Sequence, residues 1–337
     1  MKNQISRLLL CAAAVSVVAG CTGWQSALDA HGAPAIQLYQ LTMLITIVCT
    51  IVWILVVATM VRAIWRRRER REDPLLRDPV MERRMGLAVL GAVVATAIII
   101  SGFTAASFFT TRAIRLATSD VLSIRVRGLQ WWWEVTYVDA APGKTFVTAN
   151  EIHIPVGRNV RLELESADVI HSFWVPSLAG KQDLIPGRHN DLTIRAERPG
   201  VYRGQCAEFC GLQHAHMSVF IVAEDSADFE KWIVGQSGQA FSSTESEAAA
   251  GKQLFLSKPC ASCHAVRGTS AVGATGPDLT HVASRRTIAA GLFETTRGTL
   301  AAWIADPQTL KPGNNMPMVP LSGDDLRAIS AYMASLR

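Results

Sequence analysis

The chain has 337 residues, 49% of them hydrophobic, with 33 Lys and Arg against 28 Asp and Glu for a net charge of +5. That length exceeds one ordinary domain and the apolar residues concentrate near the N-terminus, which excludes a single soluble globule and points to membrane spans carrying polar modules. Many arginines fall in one short stretch between apolar runs, so the positive charge reads as a topology signal and excludes a nucleic-acid footprint.

Residues 1–20 have the plan of an export signal, with Lys2 and Arg7 ahead of an apolar stretch from Leu8 to Val18. Val18-Ala19-Gly20-Cys21 has the form of a bacterial lipobox, so Cys21 is expected to be lipidated and to become the mature N-terminus. An ordinary signal peptide with a chance cysteine is the alternative. No charge interrupts residues 36–61 or 85–111, and each run is long enough to cross a hydrocarbon core needing about 20 residues. The intervening loop, 62–84, contains Arg66-Arg67-Arg68-Glu69-Arg70-Arg71 and is expected on the cytoplasmic side. Both outer ends of the helix pair then face outward, in agreement with an exported N-terminus.

Residues 112–236 read as an all-β module. Short β-branched or alternating runs such as Val121 to Val126 and Val160 to Leu164 are punctuated by Pro142-Gly143, Pro186-Gly187 and Pro199-Gly200. The stretch 237–247 is small and polar, too poor in large apolar residues to build a core, and is expected to be a linker. A second module, 248–337, ends in an amphipathic helix: Ser322 with Asp325 three residues on, then Leu326, Ile329, Met333 and Leu336 at helical spacing.

Of seven cysteines, Cys11 lies in the signal, Cys21 at the lipobox and Cys49 in the first span, which leaves two close pairs in the exported part. The first belongs to Cys206-x-Glu208-x-Cys210-Gly211-x-x-His214-x-x-Met217. A disulfide is the default for paired cysteines outside the cytoplasm, but two sulfurs, an imidazole and a thioether in one loop suit copper better than zinc, which gains little from a thioether. His216 matches no ligand position and reads as a neighbouring surface histidine. The second pair, Cys260-x-x-Cys263-His264, is the spacing that attaches haem c through two thioether links, with the adjacent histidine as proximal iron ligand. A sixth ligand is expected downstream, from Met316 or Met318 in the loop before the final helix.

The loop from Cys206 to Met217 resembles the binuclear copper loop of cytochrome c oxidase subunit II. Asp168-Val-Ile-His171-Ser-Phe-Trp174-Val-Pro176 resembles the segment supplying the second histidine of that family, and Ile185-Pro186-Gly187-Arg188 the turn after it. The resemblance covers about residues 36–222 and implies a multi-domain membrane protein with two transmembrane helices and an all-β cupredoxin-like Greek-key barrel. It implies two copper ions bound by the side chains of His171, Cys206, Cys210, His214 and Met217 and by the backbone carbonyl of Glu208, whose carboxylate would face a magnesium site at the join to subunit I.

Residues 248–337 resemble a class I cytochrome c, an all-α domain, through Cys260, Cys263, His264, the Gly276-Pro277-Asp278-Leu279 segment and the Asn-Met316-Pro setting. That implies haem c held covalently by Cys260 and Cys263, with His264 and Met316 as axial ligands and Met318 as the second choice. Gln130-Trp131-Trp132-Trp133-Glu134 resembles the aromatic stretch of electron entry in the subunit II family, with Trp131 at the entry position, although tryptophans in a strand are commonly packing residues. Glu82 resembles a carboxylate at a proton-channel mouth, yet among arginines at a membrane edge it reads better as a solvated or paired group. The family further implies subunits I and III as partners in the bacterial inner membrane, a cytochrome c-type donor, and electron delivery for dioxygen reduction coupled to proton translocation.

Overall fold

The computed structural model describes residues 22–23, 25–69, 79–116, 121–141, 144–241, 243 and 245–337, so the stretch expected to be an export signal, and Cys21, lie outside the described residues. Two compact units are present, one comprising the N-terminal residues to Ile36 together with Thr118–Arg337, the other Gln37–Ala117.

The second unit consists of most of two long helices, α1 (Ala33–Glu69) and α2 (Pro79–Leu116). At 1.5 Å per residue each runs to about 55 Å, well beyond a bilayer core, and among the described residues both are long and apolar enough to cross a membrane. Several threonine hydroxyls bond within the helix, as where Thr96 Oγ1 donates to Ala92 O at 2.9 Å and Thr104 Oγ1 to Ile100 O at 2.9 Å, an arrangement that removes polar groups from an apolar surface. Helix continues past the apolar runs: residues 62–69 and 79–84, expected in the connecting loop, and 112–116, expected in the β module, are all helical. Arginine is a good helix former, so the loss of apolarity does not by itself end a helix.

The β module packs two five-stranded sheets. One contains β1 (Leu122–Leu129), β2 (Trp132–Ala141), β3 (Lys144–Ala149), β5 (Val160–Ser166) and β8 (Asn190–Ile194) in the order β3-β2-β1-β5-β8. The other contains β4 (Glu151–Pro155), β6 (His171–Trp174), β7 (Gln182–Leu184), β9 (Gly200–Cys206) and β10 (Ser218–Glu224) in the order β4-β10-β9-β6-β7. This is a cupredoxin-like sandwich. Alternation places Ile124 and Val126 of β1 inside, with Arg125 and Arg127 outside. Trp133 from β2 meets Phe173 from β6 edge-on, ring centroids 5.3 Å apart, tying the two sheets through the core. The segment before α1 is stitched to this module: His31 and Gly32 N–H groups donate to Ser177 O, and Glu197 N–H to His31 O.

The C-terminal module is helical. After α3 (Ser226–Ser237), which packs on the β module, come α4 (Ser246–Ser257), the single turn α5 (Cys260–Cys263), α6 (Arg297–Ala305), α7 (Pro307–Leu310) and α8 (Gly323–Ser335). Phe255, Leu300, Ile329, Tyr332 and Met333 form its core. Ser322 Oγ accepts from Asp325 N–H at 3.1 Å, capping α8 as its sequence requires.

Candidate functional site

β9 and β10 are antiparallel neighbours, and Cys206 N–H donates to Met217 O at 2.9 Å, so the connection between them closes as a loop with one cysteine at its entrance and a methionine at its exit. Gly211 takes φ +112 within it, a backbone region where a side chain is strained, and a Cβ there would sit 3.0 Å from the Trp131 ring. The loop turns the Cys206 and Cys210 sulfurs to within 3.7 Å of each other, and neither is in a disulfide. Cys210 Sγ lies 3.7 Å from His214 Nδ1 and 3.9 Å from Met217 Sδ, while Cys206 Sγ lies 3.2 Å from Glu208 O.

His171 is fully buried on β6, whose Phe173 pairs with Cys206 of β9, and its Nδ1 lies 3.9 Å from Cys206 Sγ. His171, Cys206 and Cys210 offer ligand atoms within 4.8 Å of one another. The donors are soft sulfur and imidazole, with the Met217 thioether beside them, so this set would suit copper and supply one-electron transfer. The hydrogen bond from the Cys210 thiol pulls Cys206 down to about 3, with burial opposing and His171 assisting, and the same pairing pushes Cys210 up. Binding a metal ion requires both sulfurs to be deprotonated.

Asp168 orients the histidine. Its Oδ1 lies 2.8 Å from His171 Nε2, and its Oδ2 accepts from the Gln130 N–H at 2.7 Å, so Nε2 directs a proton at the carboxylate and the ring is turned with Nδ1 toward the sulfurs. Gly128 makes room, since a Cβ there would lie 2.8 Å from the imidazole. Asp168→Asn is expected to weaken copper binding about 10–100-fold with the fold intact, because an outer partner of a ligand is lost. Competition titration against a copper chelator measures this, and wild-type affinity in the variant would refute the role.

In the helical module, His264 N–H donates to Cys260 O at 3.0 Å, closing the turn that brings Cys260, Cys263 and His264 together. His264 Nδ1 lies 2.7 Å from Pro277 O, which makes Nδ1 the N–H donor and leaves Nε2 as a ligand atom. Burial lowers the His264 pKa and keeps the ring neutral, as ligation requires. Glycines permit the close packing: a Cβ at Gly276 would lie 2.6 Å from the imidazole and one at Gly273 2.5 Å from the Cys263 backbone. These features fit a haem c attachment turn. The Met316 loop is knitted by Gln308 Nε2, which donates to both Asn314 O and Met316 O at 2.8 Å, and by the Met316 N–H, which donates to Asn314 Oδ1. Met316 is partly buried, whereas Met318 is 61% exposed.

Residues 122–224 match the family described as cytochrome C oxidase subunit II, periplasmic domain, and residues 248–337 the family described as cytochrome c. The chain thus joins a domain that matches the subunit II periplasmic family to one that matches the cytochrome c family. It is 41% identical over 219 residues to a cytochrome c oxidase subunit 2 of Alkalihalophilus pseudofirmus, an alignment covering 65% of this chain and 62% of the relative. It is 31% identical over 229 residues to one of Bacillus subtilis, covering 65% and 63%. The chain thus spans somewhat less than two thirds of these relatives' length. Among solved structures, the periplasmic domain of subunit II of cytochrome oxidase of Bradyrhizobium japonicum is 31% identical and covers 36% of this chain and 96% of its own, with a TM-score of 0.33.

The C-terminal module sits against the Cys206 to Met217 loop of the β module. Trp131 Nε1 donates to Cys210 O at 2.9 Å, and the far edge of its ring approaches Gly313, three residues before Met316. Gln213 Nε2 donates to Pro312 O at 2.8 Å. Lys311 is buried in the same junction, and burial pushes its ammonium down to about 7. Sequence reasoning gave Trp131 a role, included Asp168 and Gln130 in its motifs without assigning them one, and passed over Lys311. The position of an acidic residue three before His171 was a usable signal for Asp168, whereas nothing local marks Lys311. His216 is exposed, with Nδ1 2.7 Å from Gln213 Oε1, and its backbone serves the junction.

A second contact between the domains is electrostatic. His153 lies 2.7 Å from Glu224 Oε1 through Nδ1 and 3.1 Å from Glu151 Oε1 through Nε2, its ring stacked on Trp232, and Glu151 Oε2 accepts from the cytochrome domain's Arg286 N–H at 2.9 Å. Burial lowers the His153 pKa, but the hydrogen bonds to Glu151 and Glu224 outweigh it and the net shift is upward. The resulting stabilisation is complete below the unfolded value of about 6.5 and is lost as pH rises through the raised folded value. The melting temperature of the full chain is therefore expected to fall with rising pH in this window more steeply than that of His153→Gln. Parallel profiles for the two proteins would disprove the assignment.

Proposed function

We propose that the chain is subunit II of a bacterial haem-copper cytochrome c oxidase, receiving electrons at a fused haem and delivering them through a binuclear copper centre to subunit I, where dioxygen reduction is coupled to proton translocation. In this reading His171, Cys206, Cys210, His214 and Met217 hold two copper ions by side chain and Glu208 by its carbonyl. Cys260 and Cys263 hold haem c, with His264 and Met316 as its axial ligands. When bound, these groups supply one-electron transfer between fixed positions.

The protein's own residues set those positions. Asp168 fixes the His171 tautomer, Pro277 O fixes that of His264, and Gln308 with Asn314 shapes the Met316 loop. Trp131 carries the reading: only 8% exposed, it is bonded to the carbonyl of a copper-loop cysteine on one side and packed beside the methionine loop of the cytochrome domain on the other. That placement supports electron entry through Trp131 from the fused domain. The tether converts a diffusional encounter into an intramolecular one.

The two apolar helices would anchor the chain as a two-span protein of the inner membrane with both domains outside. A lipid on Cys21, a magnesium ion facing the Glu208 carboxylate, contact with subunits I and III and an external cytochrome c-type donor complete the proposal. The test is optical and electron paramagnetic resonance spectroscopy of the full chain in detergent, matured with haem and loaded with copper. A c-type haem band together with a signal from one electron shared between two coppers is expected. A haem band without that copper signal, under loading that restores a known control domain, would refute the oxidase reading.

A further inference from the structure

Lys311 follows α7 and is 2% exposed. Its ammonium donates to Trp131 O at 2.9 Å, His216 O at 2.8 Å and Ala289 O at 2.9 Å. Three N–H groups thus meet three carbonyls, two on the subunit II domain and one on the cytochrome domain to which Lys311 itself belongs. Trp131 is the residue bonded to Cys210 O, and His216 directly precedes Met217, so both acceptors border the copper loop.

Ala289 opens a run in which it, Ala290 and Gly291 take φ 55, 61 and 84. Alanine enters this region only at a cost, and such strain persists where the surroundings over-determine it. Here Lys311 takes the Ala289 carbonyl, the Ser218 N–H of β10 donates to Ala290 O at 3.0 Å, and a Cβ on Gly291 would lie 2.7 Å from Ser218 Cβ. The strained run is therefore pressed onto the strand that leaves the copper loop. Gluing two domains together does not require a buried cation, since an apolar contact of equal volume costs less desolvation. What the ammonium adds is direction, because three bonds at one nitrogen fix the separation and rotation of the pieces they join.

We propose that Lys311 is a positioning residue for transfer between the domains: it locks the cytochrome domain on the copper loop in one register and so fixes the haem-to-copper gap. This rests on the relay proposed above. Without the lock, the Gln213–Pro312, Arg286–Glu151 and Ser218–Ala290 bonds still hold the cytochrome domain near the loop but allow it a range of orientations, and transfer between centres falls steeply with separation.

Lys311→Met in the full chain, carrying haem and copper in detergent, tests this. Expected are unchanged haem and copper spectra, an internal electron-transfer rate after flash reduction lowered about tenfold or more, and a rate that now depends on solvent viscosity. Amide exchange at Ser218 and Arg286, which bond across the junction, should accelerate about tenfold while the α4–α8 core stays protected. A transfer rate within about twofold of wild type, or unchanged exchange at those amides, would overturn the proposal. Lys311→Gln, which retains an N–H₂ group on a shorter arm, reads the same quantities should the methionine variant fail to mature. A wild-type chain lacking the copper signal would count against the relay and leave the exchange experiment to decide the lock.

Discussion

Gly251→Ala is expected to destabilise the cytochrome domain by about 3 kcal/mol, the upper end of the cost of overpacking a tight contact. Gly251 is the point where α4 crosses α8, and a Cβ there would lie 1.9 Å from Ala328 O and 2.4 Å from its carbonyl carbon. Those atoms are backbone within a capped helix, so no side-chain rotation relieves the clash and the helices must separate. Alanine's better helix propensity returns only about 1 kcal/mol, so the clash wins. Gly235 in α3 is the opposite case. Nothing lies within 4 Å of a Cβ built there, so Gly235→Ala should stabilise by somewhat less than about 1 kcal/mol. Denaturant unfolding of the full chain, followed at the haem band for Gly251→Ala and by tryptophan fluorescence for Gly235→Ala, measures both. An unchanged or raised midpoint for Gly251→Ala would show that the crossing is looser than described.

Cys210→Ser should abolish the shared-electron copper signal while leaving the haem band intact. The Cys210 sulfur stands 3.7 Å from Cys206 Sγ, 3.7 Å from His214 Nδ1 and 3.9 Å from Met217 Sδ, so it adjoins three of the other proposed ligands. A serine hydroxyl is a hard, neutral donor that keeps its proton at neutral pH and sits on a shorter bond, so it cannot replace a thiolate shared between soft ions. The loss in copper affinity should exceed the roughly 10–100-fold expected for removing an outer partner such as Asp168. Copper stoichiometry and the resonance spectrum are the measurements. Two bound coppers sharing an electron in the serine variant would remove Cys210 from the ligand set.

Where a feature is local in the chain, the sequence exposed it. The Cys260-x-x-Cys263-His264 turn, the Cys206 to Met217 loop and the Ser322 cap each lie within a dozen residues, so covalent geometry limits what they can form. The apolar runs of α1 and α2 were equally legible, though their helices extend beyond those runs because arginine sustains helix without apolarity. What distinguishes Met316 from Met318 in the fold is that Gln308 and Asn314 bond the Met316 backbone, a contact from outside the motif.

The sequence by itself determined the kinds of chemistry present and their order along the chain, because ligand types, spacing and apolar length are local properties. Only the tertiary structure decided how those pieces meet. His171 reaches Cys206 because β6 pairs with β9, Asp168 reaches Gln130 across 38 residues, and Lys311 reaches Trp131 across 180. Such contacts depend on sheet register and domain docking, which bury many side chains at once, so no short stretch of chain encodes them.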